Sequence, residues 1–357
     1  MTRSTAHESF AGYSIESVLG RGGMGTVYLA RHPRLPRRVA LKLLNADISA
    51  HADLRRRFEL ESDIVARLEH PGIVGIYDRG THDGHLWIAM QYIEGTDASR
   101  IESRSATVER ALRITADTGA ALDYAHSRNI LHRDIKPANI LLSAPEPGRA
   151  ERAILTDFGI ARLLDATSTP TATGTFAATL GYASPEQLCG QPVDARTDQY
   201  SLACTLFTIL AGRSPFQADN PGQVVAAHLS QPAPRLSELR GDVPTALDNV
   251  IIRAMAKQPG ERYASCGEFA EAAANALAHQ GKTNVYRTAP TVVGPASALR
   301  TARPKVEPSN APAPFAPRPR PAPEPTPPSS VVQVVVTAIM VVIVLTVIVL
   351  AYWRLFQ

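Results

Sequence analysis

The deciding stretch is His132-Arg133-Asp134-Ile135-Lys136-Pro137-Ala138-Asn139, followed eighteen residues after Asn139 by Asp157-Phe158-Gly159. Asn139 and Asp157 offer the hard oxygen ligands that Mg2+ or Mn2+ prefers. Asp134 is the candidate base, with the cation of Lys136 two residues further on. Two carboxylates and an amide in so short a span make this the chemical centre from which the rest is read.

The 357 residues allow two or more domains and a sizeable core. Hydrophobic residues at 45% and charged residues at 20% suit a globular protein, although the last thirty residues raise the first figure. A formal charge of +4 raises nucleic-acid binding as a class, and the location of that charge argues against it. Residues 281–330 hold seven basic side chains against two acids, while residues 1–280 carry 29 basic and 31 acidic groups. Cys189, Cys204 and Cys266 are widely separated and lack C-x-x-C spacing, so the spacing predicts neither a disulfide framework nor a metal site and fits a reducing cytosol. The first ten residues carry charge with no apolar run behind it, unlike a signal peptide.

Upstream of the centre, Tyr13 to Leu44 reads as strand, turn, strand, turn, strand. The first turn holds Gly20, Gly22 and Gly25 in the pattern G-x-G-x-x-G-x-V, where glycine lets backbone N–H groups approach phosphate oxygens. A dinucleotide site would open a helix here, whereas Thr26-Val27-Tyr28-Leu29-Ala30 continues as a strand. Val39-Ala40-Leu41-Lys42 follows on a further strand. Residues 53–69 read as a helix ended by His70-Pro71-Gly72. The apolar runs Ile73–Tyr77 and His85–Tyr92 then complete a small five-stranded antiparallel sheet, and Gln91-Tyr92-Ile93-Glu94-Gly95 breaks the pattern. Residues 107–128 form a long helix that leads into the central stretch.

These motifs, in this order and spacing, resemble eukaryotic-like Ser/Thr protein kinases over residues 13–278, in the compact form of bacterial, especially actinobacterial, membrane kinases. The resemblance implies an α+β, two-lobed protein kinase fold, with an N-lobe at 13–94 after a tail at 1–12 and a mainly helical C-lobe at 95–278. It implies ATP held by Leu19, Gly20, Arg21, Gly22, Gly23, Met24, Gly25, Thr26 and Val27, by Ala40 and Lys42, by the backbone of Gln91 and Ile93 with Met90 behind them, and by Leu141. Lys42 then needs a carboxylate partner from the following helix. Glu61 lies on the apolar stripe of Phe58, Val65 and Leu68, whereas Glu59 shares a face with Asp63 and Arg67, so Glu61 is expected.

The resemblance makes Asp134 the base, Asn139 and Asp157 the ligands of Mg2+ or Mn2+, and Lys136 the mark of a Ser/Thr rather than a tyrosine kinase. Arg133, beside the base, implies control by a phosphorylated loop. Within that loop, Thr171, Thr173 and Thr175 stand as phosphorylation candidates, and Thr179 as the substrate-facing threonine, although Ala178 replaces the usual glycine before it. Asp198 is expected to cap the catalytic-loop amides and Arg262 to pair with Glu186. Val65, Ile76, Phe158 and His132 fall at the positions of an internal apolar spine. With Lys42, Glu61, Asp134, Asn139 and Asp157 all present, a pseudokinase scaffold is the weaker reading.

Residues 279–330 form a linker, in which 281–330 carry thirteen prolines and cannot bury a core. Residues 331–353 are apolar and uncharged and end in Tyr352-Trp353; at about 1.5 Å per residue a helix of this length spans a bilayer core. The expectation is a single membrane span with the kinase on the cytoplasmic side, residues 354–357 outside, and no external sensor. The partners expected are protein substrates, the membrane, a second copy of the chain and phosphothreonine-reading proteins, with no nucleic acid.

Overall fold

The computed structural model describes residues 9–23, 25–46, 49, 52–145, 147–148, 150–158 and 180–287, with side chains as far as residue 278 apart from those at 52, 53 and 57. The chain divides into Met1–Thr291 and Val292–Gln357, and every described element belongs to the first unit. The expected linker beyond residue 287 and the apolar run at 331–353 lie outside the described residues.

Strands β1 (Ser9–Phe10), β2 (Tyr13–Gly22), β3 (Gly25–Arg31), β4 (Arg38–Leu44), β5 (Ile76–His82) and β6 (His85–Gln91) form one antiparallel sheet in the order β1-β2-β3-β4-β6-β5. This corrects the expectation of five strands; the added strand lies within the stretch expected as a tail. The sixth strand is a two-residue extension that folds back on Tyr13 and Ser14 through Ala11 and Gly12, both at positive φ. Two residues are too few to display alternation, so the pattern does not reveal them. The run expected at Ile73–Tyr77 is also displaced. Ile73 bridges Leu155, Val74 N–H donates to Leu155 O, and the strand itself starts at Ile76.

Period-two alternation sorts β4 into two faces. Val39 and Leu41 are fully buried with Tyr13 and Trp87 on one side. Ala40 and Leu44 lie on the other, against Leu54 and Phe58 of helix α1 (Ala52–Val65), so Lys42 shares the face that α1 covers. Helix α1 ends four residues short of the predicted position 69.

The C-lobe opens with a small sheet of β7 (Gly95–Asp97), β8 (Ile140–Ser143) and β9 (Ala153–Leu155). Helix α2 (Val108–His126) is capped by Thr107, whose hydroxyl accepts from Arg110 N–H at 3.1 Å. After α3 (Pro185–Leu188), helix α4 (Ala195–Ala211) runs through the centre, capped by Asp194 and ended by Gly212 in the left-handed region. It is buried almost all round, as a helix enclosed by others is, and Tyr200, Leu206 and Phe207 are fully buried. Helices α5 (Pro221–Ser230), α6 (Thr245–Ala254) and α7 (Cys266–Arg287) complete the lobe. The last of these continues nine residues past the boundary expected at 278. Helices α2, α6 and α7 share one core with α4. Where α7 begins, Asp123 of α2 accepts N–H groups of Cys266 and Gly267, both at 2.9 Å.

Candidate active site

The antiparallel pairing of β8 with β9 sets Ile140 opposite Leu155. Asn139 precedes the first and Asp157 follows the second by two residues, so both emerge at the same end of this hairpin. Thr156 N–H donates to Asn139 O at 3.0 Å and closes that end. Asn139 donates through Nδ2 to Asp134 O at 2.7 Å and to Asp134 Oδ2 at 3.0 Å. Its amide carbonyl is therefore the atom suited to a cation. Lys136 Nζ donates to both Asp134 oxygens, at 3.0 and 2.8 Å, and Asp134 is buried. The candidate base is thus held between an ammonium and an amide.

The loop that carries it is fastened from below by Asp198, which is fully buried on α4. Asp198 accepts His132 N–H at 2.8 Å, Arg133 N–H at 2.7 Å and His126 Nε2–H at 2.7 Å. Burial opposes its charge, but the hydrogen bond from His126, followed by the His132 amide, outweighs that, and its pKa lies below the ordinary carboxylate range. His132 donates from Nε2 to Thr156 O at 2.9 Å, and its ring lies 4.5 Å from that of Phe158. Arg133 and Asp157 both hold φ near +65° (66° and 64°), a region that costs non-glycine residues roughly 1–3 kcal/mol and that this network sustains.

Lys42 donates to Asp157 Oδ1 at 2.7 Å. Lys42 thus reaches Asp157, a partner that the sequence pattern did not assign to it. One ammonium meets two candidate carboxylates in the cleft, and the end of the β8–β9 hairpin delivers Asp157 to it, while Glu61, Asp157 and Phe158 line a narrow cavity together with Val65, Ile76 and Met90. Burial raises the Asp157 pKa, yet the charge and hydrogen bond of Lys42, then His132 and Lys136, bring it below the usual range.

Above the cleft, the β2–β3 hairpin pairs Gly20 with Val27 and Gly22 with Gly25. Gly25 is obligatory: at φ 154° a Cβ would sit 1.9 Å from Leu43 O. A Cβ at Gly20 or Gly22 would meet nothing within 4 Å, which leaves the hairpin open toward the space a nucleotide would use. Val27 lies opposite Lys42 in register. Val27, Ala40, Met90, Ile93 and Leu141 join one apolar cluster, which fits a flat heteroaromatic ring beside Lys42. Gln91 N–H donates to Gly75 O at 2.8 Å, so what Gln91 offers a ligand is its carbonyl. Leu19 is exposed, and Arg21, Gly23 and Thr26 belong to the same hairpin; Met24 lies outside the described residues.

Glu186 and Arg262 form a buried bidentate pair, both contacts at 2.8 Å, with Thr197 Oγ1 donating to Glu186 at 2.8 Å. Burial again opposes the charge, and the Arg262 hydrogen bond and charge overcome it, so Glu186 titrates below the normal range. Gly159, Thr171, Thr173, Thr175 and Thr179 lie outside the described residues. The sequence does not single out His126, Thr156 or Gln187, although each holds the catalytic loop; Gln187 Nε2 donates to Arg133 O at 2.9 Å. Their signal is tertiary, because none belongs to a spaced motif.

Asn139 and Asp157 fit a hard divalent cation: two neutral or anionic oxygen donors at one hairpin end, with Lys42 occupying a single Asp157 oxygen. The protein kinase domain family matches residues 13–280. The chain is 51% identical over 276 residues to serine/threonine-protein kinase PknJ of Mycobacterium tuberculosis, covering 76% of this chain and 46% of the relative. It is 47% identical over 299 residues to serine/threonine-protein kinase PknF of the same species, covering 82% and 62%. The chain thus matches about half the length of these curated relatives. The crystal structure of the Mycobacterium tuberculosis PknI kinase domain aligns with a TM-score of 0.59 at 39% identity, covering 76% of this chain and 98% of that one. With this match over most of its length and with Asp134, Lys136, Asn139 and Asp157 gathered around one cleft, the chain belongs to the protein kinase domain family.

Proposed function

We propose that the chain transfers the γ-phosphoryl group of ATP to serine or threonine hydroxyls of proteins, as a non-specific serine/threonine protein kinase. The observation that carries this is the buried Asp134 held by Lys136 and Asn139 beside Asp157. The relatives named above, both called serine/threonine-protein kinases, support the Ser/Thr specificity. Asp134 orients the substrate hydroxyl and takes its proton as the new O–P bond forms and the bond from phosphorus to the ADP oxygen breaks. Lys136 places positive charge beside the developing phosphoryl charge, and Lys42 is set to hold the nucleotide phosphates. Asn139 and Asp157 would hold Mg2+ or Mn2+, which supplies charge neutralisation between the phosphates.

Loop autophosphorylation is part of the same proposal. The Arg133 guanidinium makes no ion pair among the described residues and sits beside the base, ready for a phosphothreonine at 171, 173 or 175. Anchoring by residues 331–353 is likewise proposed, from their unbroken apolar character; no helix among the described residues is long and apolar enough to cross a membrane. On a membrane, copies of the chain would meet in two dimensions and phosphorylate one another, and protein substrates and phosphothreonine readers would be recruited there.

Incubating the chain with labelled ATP and Mg2+ or Mn2+ tests the activity. Wild type is expected to label itself and a generic protein substrate, and Lys42→Met and Asp134→Asn to lose at least about 100-fold in rate. Equal labelling of all three would refute the proposal.

A further inference from the structure

Where α2 meets the start of α7, Asp123, His126 and Cys266 bring a carboxylate oxygen, an imidazole nitrogen and a thiol sulfur within 4.8 Å of one another. Cys266 is fully buried and the His126 side chain is 8% exposed. The carboxylate of Asp198, 2.7 Å from His126 Nε2, fixes the ring hydrogen on Nε2 and leaves a lone pair on Nδ1. That Nδ1 is buried and has no hydrogen-bond partner among the described residues; Asp123 Oδ1, at 4.0 Å, is beyond hydrogen-bond range and is an acceptor in any case. An imidazole lone pair enclosed without a donor is a polar atom with its partner missing. The groups that face it are themselves ligands: a thiol, and a carboxylate whose oxygens have spent one lone pair each on the α7 amides.

We propose that Asp123, His126 and Cys266 form a binding site for one thiophilic divalent cation of the zinc class, with solvent as fourth ligand. Sulfur, imidazole nitrogen and carboxylate oxygen make a set that Zn2+ accepts and that Mg2+ and Ca2+ do not. Bonds of about 2.0–2.3 Å require the three donors to draw inward on binding. On binding, the Cys266 thiol releases its proton to solvent, and the thiolate and the Asp123 carboxylate balance the two positive charges. The Asp198–His126–cation chain is the carboxylate–histidine–metal arrangement by which outer ligands orient inner ones.

The site lies apart from Asn139 and Asp157 in composition but not in connection. The same Asp198 carboxylate that holds His126 also holds the amides of His132 and Arg133, next to the base. Occupancy therefore stiffens the catalytic loop from beneath.

The test uses the full chain in detergent, treated with chelator and titrated with Co2+. A sulfur-to-cobalt charge-transfer band should saturate at one Co2+ per chain and vanish on adding Zn2+, and Zn2+ should slow hydrogen exchange at the His132 and Arg133 amides. Cys266→Ser should abolish the band and Asp123→Asn should weaken binding by at least about 10-fold. The variant combining Cys189→Ser and Cys204→Ser, in which Cys266 is the sole thiol, should keep the band, and it decides the matter if Cys266→Ser does not fold. No band in wild type, a band that survives Cys266→Ser, or a band lost in the double variant would each overturn the proposal. None of these readouts depends on phosphoryl transfer.

Discussion

Glu186 and Arg262 show what a single buried charge demands of its surroundings. Both are enclosed, at 3% and 0% side-chain exposure, and Arg262 also donates to the carbonyls of Ala256 and Arg196 at 2.8 Å. Removing either partner strands the other charge away from water, a loss of about 3–5 kcal/mol. Glu186→Gln and Arg262→Ala should each lower the denaturant midpoint of unfolding by that equivalent, and Arg262→Lys should recover little, because a single ammonium cannot replace the planar fork. The pH dependence follows from the depressed pKa of Glu186. Its folded form binds protons less readily than the unfolded chain, so the stability it contributes is full above the ordinary carboxylate range, near about 4.3, and declines as pH falls through the lower folded value. Wild type should lose stability on acidification below about pH 4.5, and Glu186→Gln should lose less. Equal slopes in the two proteins would contradict this account. The pair is legible in the sequence only through the resemblance, since seventy-six residues separate its members.

At the scale of an element, the β2–β3 hairpin is the part whose backbone must adopt what side chains forbid. Gly25 and Gly22 face each other across the turn, yet their demands differ. A methyl group at position 25 would drive into the Leu43 carbonyl of β4, the strand that carries Lys42; at position 22 it would point into open space. Gly25→Ala should therefore displace β3 against β4 and weaken ATP binding by about 10-fold or more, about 1.4 kcal/mol, in a calorimetric titration. Gly22→Ala should stay within about 3-fold of wild type. The glycine spacing was readable from the chain, but not this ranking, which depends on the neighbouring strand. In the same way, the spacing of α1 correctly pointed to a helix, and its stripe pointed to Glu61. Which carboxylate reaches Lys42 is set by how the β8–β9 hairpin and α1 approach the sheet, and there Asp157 arrives at 2.7 Å.

On the scale of the molecule, the described core is self-contained within residues 9–287, and the chain divides at Thr291. All of the helix and sheet packing described above belongs to the first unit. A fragment of residues 1–291 should consequently fold alone, with a thermal midpoint within about 3 °C of the full chain, and should retain labelling by ATP in solution. It should also fail to sediment with membranes, whereas the full chain should sediment with them. A fragment that sediments like the full chain would refute anchoring by residues 331–353, and one that does not fold would refute the self-contained core.

By itself the sequence determined the local elements and the motifs, because these depend on local quantities: alternation along β4, the helical period of 107–128, glycine where a neighbouring backbone must come close, and short runs that gather carboxylates, an amide and a cation. The class of fold and the roles of the cleft residues were legible only through the resemblance those motifs carry. Only the tertiary structure decided which charges meet. The pairing of Lys42 with Asp157, the grip of Asp198 on the loop amides, the orphaned nitrogen of His126 and the short first strand at Ser9–Phe10 all arise between segments that pattern cannot relate. Burial raises the cost of every unpaired polar atom, so packing selects partners across the fold that no spacing along the chain records.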